Sequence, residues 1–172
     1  MSQPPPPIVI RKATESDVPV ILELIRGLSV YERMADLCVA TEDKLRNTLF
    51  RDTPAAEVLI ASAGNNPLGF ALFFHNYSTF LAQRGIFLED LFVKPDARGS
   101  GVGRALLAAL ARIAVERDCG RLDWVVLDWN ELAIGFYKRI GAQAMDEWTT
   151  FRVAGEPLNK LASESQGVTL TE

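Results

Sequence analysis

Three glycines stand at alternate positions in "KPDARGSGVGRALLAAL", the stretch from Lys94 to Leu110. Gly99, Gly101 and Gly103 follow a strand-like run and precede a helix-like run, although glycine weakens both kinds of element. The first amides of a helix lack acceptors and lie at the positive end of the helix dipole. Glycines let a phosphate approach these amides closely. The spacing therefore predicts either a phosphate cradle or a glycine-rich turn without a ligand.

Two common phosphate-binding motifs do not fit this turn. A P-loop carries a lysine and a hydroxyl residue after its last glycine, and here Gly103 is followed by Arg104 and Ala105. A dinucleotide fingerprint has glycine at its sixth position, in the first strand-to-helix turn of the fold. Arg104 occupies that position, well past the middle of the chain. Both motifs are therefore disfavoured.

Two adjacent carboxylates lie in the strand-like run "RGIFLEDLFV". Alternate residues of a strand share a face. We therefore expect Glu89 to point with Phe87, and Asp90 to point the other way with Leu88 and Phe92. One carboxylate must then meet an apolar environment, where it either pairs with an arginine or is available for acid–base chemistry.

Four further polar residues lie on predicted helices or at their ends. Asn130 and Tyr137 are separated by about two helical turns and share a face of one helix. Asn130 also suits a helix N-cap, and Tyr137 alone is typical of a core aromatic with a solvated hydroxyl. Tyr31 and Glu32 end the first long helix, where their types are typical of surface residues.

Composition limits the class of protein. The 172 residues predict one domain with a sizeable core, and 48% hydrophobic with 23% charged residues are typical of globular proteins. The net charge of −4 argues against nucleic acid as a partner and is compatible with a cationic substrate. Cys38 and Cys119 form no C-x-x-C pair and the chain has one histidine, so we expect no metal site.

The chain ends and hydropathy predict a cytoplasmic location. No apolar run approaches the roughly 18 residues that cross a bilayer, and "MSQPPPP" lacks the features of a signal peptide. We therefore expect no membrane partner. Residues 1–7 are predicted to be a disordered proline-rich tail, residues 8–161 a single domain, and residues 162–172 a loosely ordered tail.

The order of elements positions these residues on a sheet. We predict a strand at 8–13, helices at 14–34 and 41–50, a hairpin at 56–77, a strand at 84–93, a helix at 104–118, a strand at 121–129, a helix at 130–141 and one or two strands over 142–155. Such a chain belongs to the α/β (α+β) class, with a mixed sheet and helices on both of its faces.

The run "RGSGVGR", from Arg98 to Arg104, resembles the R/Q-x-x-G-x-G/A signature of the GNAT acetyltransferases. The element order is similar to the GNAT fold, whose twisted sheet is mixed but mostly antiparallel. Three longer runs resemble the diamine (spermidine/spermine) acetyltransferases and the related thialysine acetyltransferases. They are "RKATESDVPVILELIRGLSVYE", "FLEDLFVKPDARGSGVG" and "VLDWNELAIGFYKRIGA". The resemblance covers most of the chain from Ile8 to Leu161.

The resemblance implies acetyl-CoA as the donor, with its pyrophosphate at the glycine turn and its pantetheine arm along the preceding strand. It implies that one strand amide polarises the thioester carbonyl. Tyr137 would be a general acid near the sulfur. The implied cofactor-binding residues are Leu91, Phe92, Val93, Arg98, Gly99, Ser100, Gly101, Val102, Gly103, Arg104, Asn130 and Tyr137.

For the acceptor, the resemblance implies that Glu89 holds the cationic amine and takes its proton, and that Tyr31 and Glu32 line the amine pocket. The segment "NYSTFLAQRG" carries no carboxylate where the polyamine enzymes have an acidic stretch. We therefore expect an N-acetyltransferase for a thialysine-like or short diamine substrate, and a polyamine as second choice. A homodimer is expected. The alternatives are a protein or peptide N-acetyltransferase and a catalytically idle acyl-CoA-binding module.

Overall fold

The structure of the protein is a computed structural model that describes residues 6–164. Most of the two predicted tails, at 1–5 and 165–172, lies outside these residues. The described chain separates into two compact units, with the boundary between Val125 and Val126.

The first unit is built on a five-stranded sheet in the order β1-β2-β3-β4-β5. The strands are β1 (Ile8–Lys12), β2 (Glu57–Ala63), β3 (Asn66–Ser78), β4 (Gln83–Val93) and β5 (Leu122–Trp124). The first four pair antiparallel, and β5 runs parallel to β4. The predicted mixed, mostly antiparallel sheet is confirmed.

Three helices cover this sheet, namely α1 (Val18–Tyr31), α2 (Glu42–Leu49) and α3 (Val102–Glu116). The apolar stripe of α1, which includes Ile21 and Leu24, packs in one buried cluster with Phe70 of β3 and Phe92 of β4. α3 contacts all five strands, and its fully buried Leu106 and Leu110 lie outside that cluster. The two groups of helices therefore cover opposite faces.

An ion pair fixes the start of α1. Asp17 accepts hydrogen bonds from both terminal nitrogens of Arg11 at 2.7 Å, and also from the Thr14 amide at 2.7 Å. Arg11 belongs to β1, so this network ties the helix start to the edge of the sheet. The guanidinium of Arg11 holds the pKa of the Asp17 carboxyl well below its usual range.

The second unit contains α4 (Glu131–Arg139) and α5 (Glu156–Ser163). Residues 142–155 form no strand, so the prediction of a last strand there is wrong for this structure. The predicted strand at 121–129 is reduced to the three residues of β5. A strand needs a neighbour for its hydrogen bonds, and alternating residues do not by themselves supply one. Within residues 6–164, no helix combines the length and hydropathy needed to cross a membrane.

Candidate active site

The glycine turn leads directly into α3. Gly99 has φ +78° and Gly101, the N-cap of α3, has φ +91°, a left-handed conformation that favours glycine. A Cβ built on either residue would meet no atom within 4 Å. At Gly103 it would lie 3.7 Å from Cγ2 of Val93, an ordinary contact. Two of the three glycines are therefore required by backbone conformation, and the space above them is open.

The backbone of this turn presents unused hydrogen-bond donors. Every amide from Gly99 to Arg104 lacks a hydrogen-bond acceptor among residues 6–164. The first amide of α3 with a partner is that of Ala105, which donates to the Gly101 carbonyl at 3.0 Å. The Ser100 hydroxyl is already engaged, because it donates to the Ala97 carbonyl at 2.6 Å. The turn therefore offers a row of amides at the positive end of a helix, which favours an anionic ligand.

Two exposed arginines flank these amides. The Nε of Arg98 donates to the Val93 carbonyl at 3.1 Å, and its guanidinium carbon lies 4.3 Å from the centroid of the Tyr31 ring. Among the described residues, neither terminal nitrogen of Arg98 has a hydrogen-bond partner. Arg104 is exposed at the first turn of α3. Both guanidinium groups can therefore bind phosphate oxygens in the charge-assisted geometry that arginine favours.

A β-bulge in β4 places Leu88 and Asp90 on opposite faces of the sheet. Leu72 of β3 pairs with Asp90, but the next residue, Phe73, pairs with Leu88, so Glu89 has no partner. Directly paired residues share a face, so Asp90 and Leu88 lie on opposite faces of the sheet. The prediction that Asp90 points with Leu88 is wrong, because the extra residue reverses the alternation. Asp90 does share a face with Phe92, as predicted, since the two pair with Leu72 and Phe70. Glu89 is exposed on the bulge.

Two carboxylates act on a third, Asp90, beside this bulge. Burial, followed by the negative charges of Glu89 and Glu32, raises the pKa of Asp90 to about 6. Burial also raises the pKa of Glu32, at the C-terminal end of α1. The structure thus brings Glu32 and Glu89, which were predicted site residues, near Asp90, which was not assigned a role. Adjacent carboxylates in an apolar strand were the sequence signal for it, but the packing of α1 against this face determines that Asp90 is the more buried one.

Part of β4 has a free edge. β5 pairs with β4 only from Ile86 to Leu88, and in the described sheet no strand pairs with that side of β4 from Glu89 to Val93. The backbone groups on that side are therefore available to an extended ligand, apart from the Val93 carbonyl, which accepts a hydrogen bond from Nε of Arg98. The predicted contacts of Phe92 and Val102 can involve only their backbone, since both side chains are buried in the core. Leu91 and Val93 are half-buried.

The remaining predicted residues, Asn130 and Tyr137, lie on α4 in the second unit. Asn130 is the N-cap, and its side-chain oxygen accepts a hydrogen bond from the Ala133 amide at 3.3 Å. Tyr137 packs beside Phe136, with ring centroids 5.5 Å apart. The capping interpretation of Asn130 is confirmed.

His75 and Arg117, outside the predicted site, bind each other and other groups of the first unit. His75 lies between the Gly85 carbonyl, 3.0 Å from Nδ1, and Arg117, 3.0 Å from Nε2. Because arginine only donates, Nε2 is the acceptor and Nδ1 carries the proton. His75 and Arg117 line a polar cleft of about 800 Å³ that contains none of the predicted site residues. Within residues 6–164, no group of three or more potential metal ligands is found.

Comparison with known proteins identifies the family. Residues 28–142 match the model of the acetyltransferase (GNAT) family, and the chain belongs to this family. It is 39% identical to the thialysine N-epsilon-acetyltransferase of Bos taurus over 168 residues, covering 91% of this chain and 98% of that protein. It is 34% identical to an L-ornithine N5-acetyltransferase of Arabidopsis thaliana, covering 88% and 86%. An integron cassette protein from the mobile metagenome of V. cholerae matches with a TM-score of 0.74 and 32% identity, over 90% and 97%.

These findings confirm the GNAT fold and the resemblance to the thialysine acetyltransferases, and they define the chain as an N-acetyltransferase. Enzymes of the GNAT family use acetyl-CoA. The residues of the turn fit such a donor. The unpaired amides and the two arginines belong to the same turn, and the space above its two left-handed glycines is open.

Proposed function

We propose that the protein transfers an acetyl group from acetyl-CoA to a primary amine on a short chain, such as thialysine or a short diamine. The observation that carries the proposal is the group of three carboxylates, Glu32, Glu89 and Asp90, at the bulge of β4. Glu89 and Asp90 lie on the strand whose end leads through Arg98 into the unpaired amides, and Glu32 adds its charge from the end of α1. The carboxylates, which suit a cationic amine, are therefore separated by only a few residues of chain from the amides of the glycine turn, which suit an anion.

The glycine turn would hold the donor. Its amides from Gly99 to Arg104 would donate to the pyrophosphate, while Arg98 and Arg104 would add charge-assisted hydrogen bonds. The free edge of β4 from Leu91 to Val93 would bind the amide groups of the pantetheine arm. An amide on this edge would stabilise negative charge on the carbonyl oxygen of the acetyl group. When bound, acetyl-CoA supplies the acetyl group as an activated thioester.

The carboxylates would bind the amine as an ammonium ion and then remove its proton. An alkyl amine has a pKa near 10.4, so supplying the neutral amine at pH 7.5 costs roughly 4 kcal/mol. Asp90, whose pKa is about 6, is ionised at neutral pH and yet is a stronger base than an ordinary aspartate. Glu89 is exposed on the bulge and would pass the proton to water.

Tyr137 is proposed as the acid of the reaction. Its phenol would donate a proton to the departing sulfur. Tyr137 lies on α4 about two turns after Asn130, so the two residues share a face of this helix. A thiol has a pKa near 8.5, so its thiolate is a much better leaving group than an amine. The acid should therefore contribute less than the removal of the amine proton.

A short acceptor is favoured over a polyamine. The hairpin segment from Asn76 to Gly85 carries no carboxylate. Nδ2 of Asn76 donates to Asp123 at 2.9 Å, and Oδ1 of Asn76 is buried away from solvent. The distal ammonium groups of a long polyamine would find only weak, screened attraction there. The activities of the bovine and Arabidopsis relatives, on thialysine and L-ornithine, agree with a single terminal amine as the reactive group.

A thiol-release assay with acetyl-CoA across a panel of amines tests the proposal. The panel contains thialysine, ornithine, 1,3-diaminopropane, spermidine, spermine and a lysine peptide. We expect the highest kcat/KM for one of the first three. The Glu89→Gln variant should lose kcat/KM mainly at neutral pH, with recovery at high pH. Spermine or the peptide as best acceptor would overturn the proposed acceptor class, and no release with any amine would overturn the activity.

A further inference from the structure

We infer that Tyr31 is a positioning residue for Arg98, and that its ring serves the donor site rather than the amine pocket. This inference rests on the proposed function of Arg98 in binding the pyrophosphate. The resemblance to the family assigns Tyr31 only to the amine pocket. The contact of the ring with Arg98 points to a role at the donor site.

The guanidinium of Arg98 lies against an aromatic face. Its central carbon is 4.3 Å from the centroid of the Tyr31 ring and 5.9 Å from that of Phe92. Both distances are within the range in which a cation is attracted by the quadrupole of an aromatic ring. Phe92 is buried and Tyr31 packs against the same core cluster, so the rings themselves are held in place.

The remaining contact of Arg98 fixes the other side of the guanidinium. Nε donates to the Val93 carbonyl at 3.1 Å, at the end of β4. Among residues 6–164, Arg98 has no ion pair with a carboxylate. Stacking and one backbone hydrogen bond therefore hold the group, while the two terminal nitrogens stay available to a ligand. This differs from an arginine held by a salt bridge, whose donors would be used.

Pre-organisation explains why such a ring would matter. Arginine side chains have many rotamers, and ordering them on binding reduces affinity. Arg98 is exposed, so without the ring its guanidinium would be free to leave the glycine turn. With the ring in place, the Arg98 side chain is already ordered before acetyl-CoA binds. The predicted effect of Tyr31 is thus on the affinity for CoA, although the residue itself lies at the end of α1.

The test compares acetyl-CoA affinity, measured by calorimetry, in four variants of the full chain. Tyr31→Leu removes the aromatic face, and we expect Kd to rise about two- to fivefold, as for a partly exposed cation–π contact. Tyr31→Phe keeps the ring and should retain the wild-type Kd. Arg98→Met should raise Kd about tenfold or more. The double variant Tyr31→Leu/Arg98→Met should match Arg98→Met alone, because the ring acts only through the arginine.

The control is Tyr77→Leu, which removes an exposed tyrosine of β3 and should leave the Kd of acetyl-CoA unchanged. If Tyr31→Leu does not fold, Tyr31→Met takes its place. If Arg98→Met weakens binding but Tyr31→Leu does not, the inference fails while the donor site stands. If Tyr31→Leu leaves the Kd of acetyl-CoA unchanged and raises only the KM of the amine in the thiol-release assay, the inference is overturned in favour of the amine pocket. If Arg98→Met has no effect, the proposed donor site fails and the inference fails with it.

Discussion

Leu72 of β3 stands directly opposite Asp90 of β4, and this pairing turns a carboxylate toward the face of the sheet that α1 covers. The neighbouring pair is Phe73 with Leu88, so Glu89 is the residue that the bulge leaves out. Burial of a carboxylate favours its protonated form and raises its pKa. Asp90 is therefore a basic aspartate beside a glutamate that the bulge leaves exposed.

This burial should cost stability at neutral pH. Asp90 has a pKa of about 6, above its unfolded value near 3.8, so its ionised form destabilises the folded state. The cost is complete above about pH 6 and disappears as the pH falls toward 4. We expect Asp90→Asn to raise the free energy of unfolding by about 2 to 3 kcal/mol at pH 7.5 and by little at pH 4. Urea denaturation at both values measures this.

The control for this comparison is Asp52→Asn, which changes an exposed aspartate and should have little effect at either pH. An equal gain for Asp90→Asn at pH 4 and pH 7.5 would mean that ionisation is not the cause.

The same residue should shape the pH profile of catalysis. With the best amine, kcat/KM should rise through about pH 6 as Asp90 ionises, and again toward the pKa of the amine. Asp90→Asn should remove the lower step and reduce kcat/KM by about 10²-fold at pH 7. The defect should shrink near pH 10, where solvent has removed the proton from the amine. A variant that keeps the lower step would show that another group is responsible.

Patterns within single segments predicted most of the fold. The helix predicted at 14–34 contains α1, and the hairpin predicted at 56–77 corresponds to β2 and β3. The failures depend on partners outside the segment. The bulge at Glu89 is a property of two strands in register, and a strand at 142–155 needs a neighbour that its own residues do not specify.

The candidate site likewise has a part that local sequence predicted and a part that depends on residues distant in the chain. The motif from Arg98 to Arg104 was recognisable because its glycines set the local backbone and its two arginines lie within the same seven residues. Asp90 was missed because its basicity arises from burial and from the charge of Glu32, which is distant in the chain. The contact between Tyr31 and Arg98 likewise joins the end of α1 to the start of α3. The homodimer and the cytoplasmic location stay predictions.

The glycine turn can be tested with a matched pair of glycines. Gly101 and Gly64 both have positive φ values, +91° and +58°, and a Cβ on either would meet no atom within 4 Å. Replacing either by alanine should cost about 1 to 2 kcal/mol of stability from the left-handed backbone alone. Only Gly101→Ala should also weaken acetyl-CoA binding, by about tenfold, because its methyl group enters the space above the unpaired amides. Calorimetry on both variants separates strain from binding. Equal Kd values in the two variants would contradict a donor site at this turn.

Tyr137→Phe tests the proposed acid. Phenylalanine keeps the ring that packs beside Phe136, so α4 and the affinity for acetyl-CoA should be retained. Loss of the phenolic proton should lower kcat by about 10²-fold, the range of a lost general acid. The defect should shrink with an acetyl thioester whose thiol is more acidic than that of CoA, because such a sulfur leaves without protonation. Tyr77→Phe, on β3, is the control and should have wild-type kcat. A kcat within a factor of two of wild type for Tyr137→Phe, or a defect that does not depend on the leaving thiol, would show that Tyr137 is not the acid.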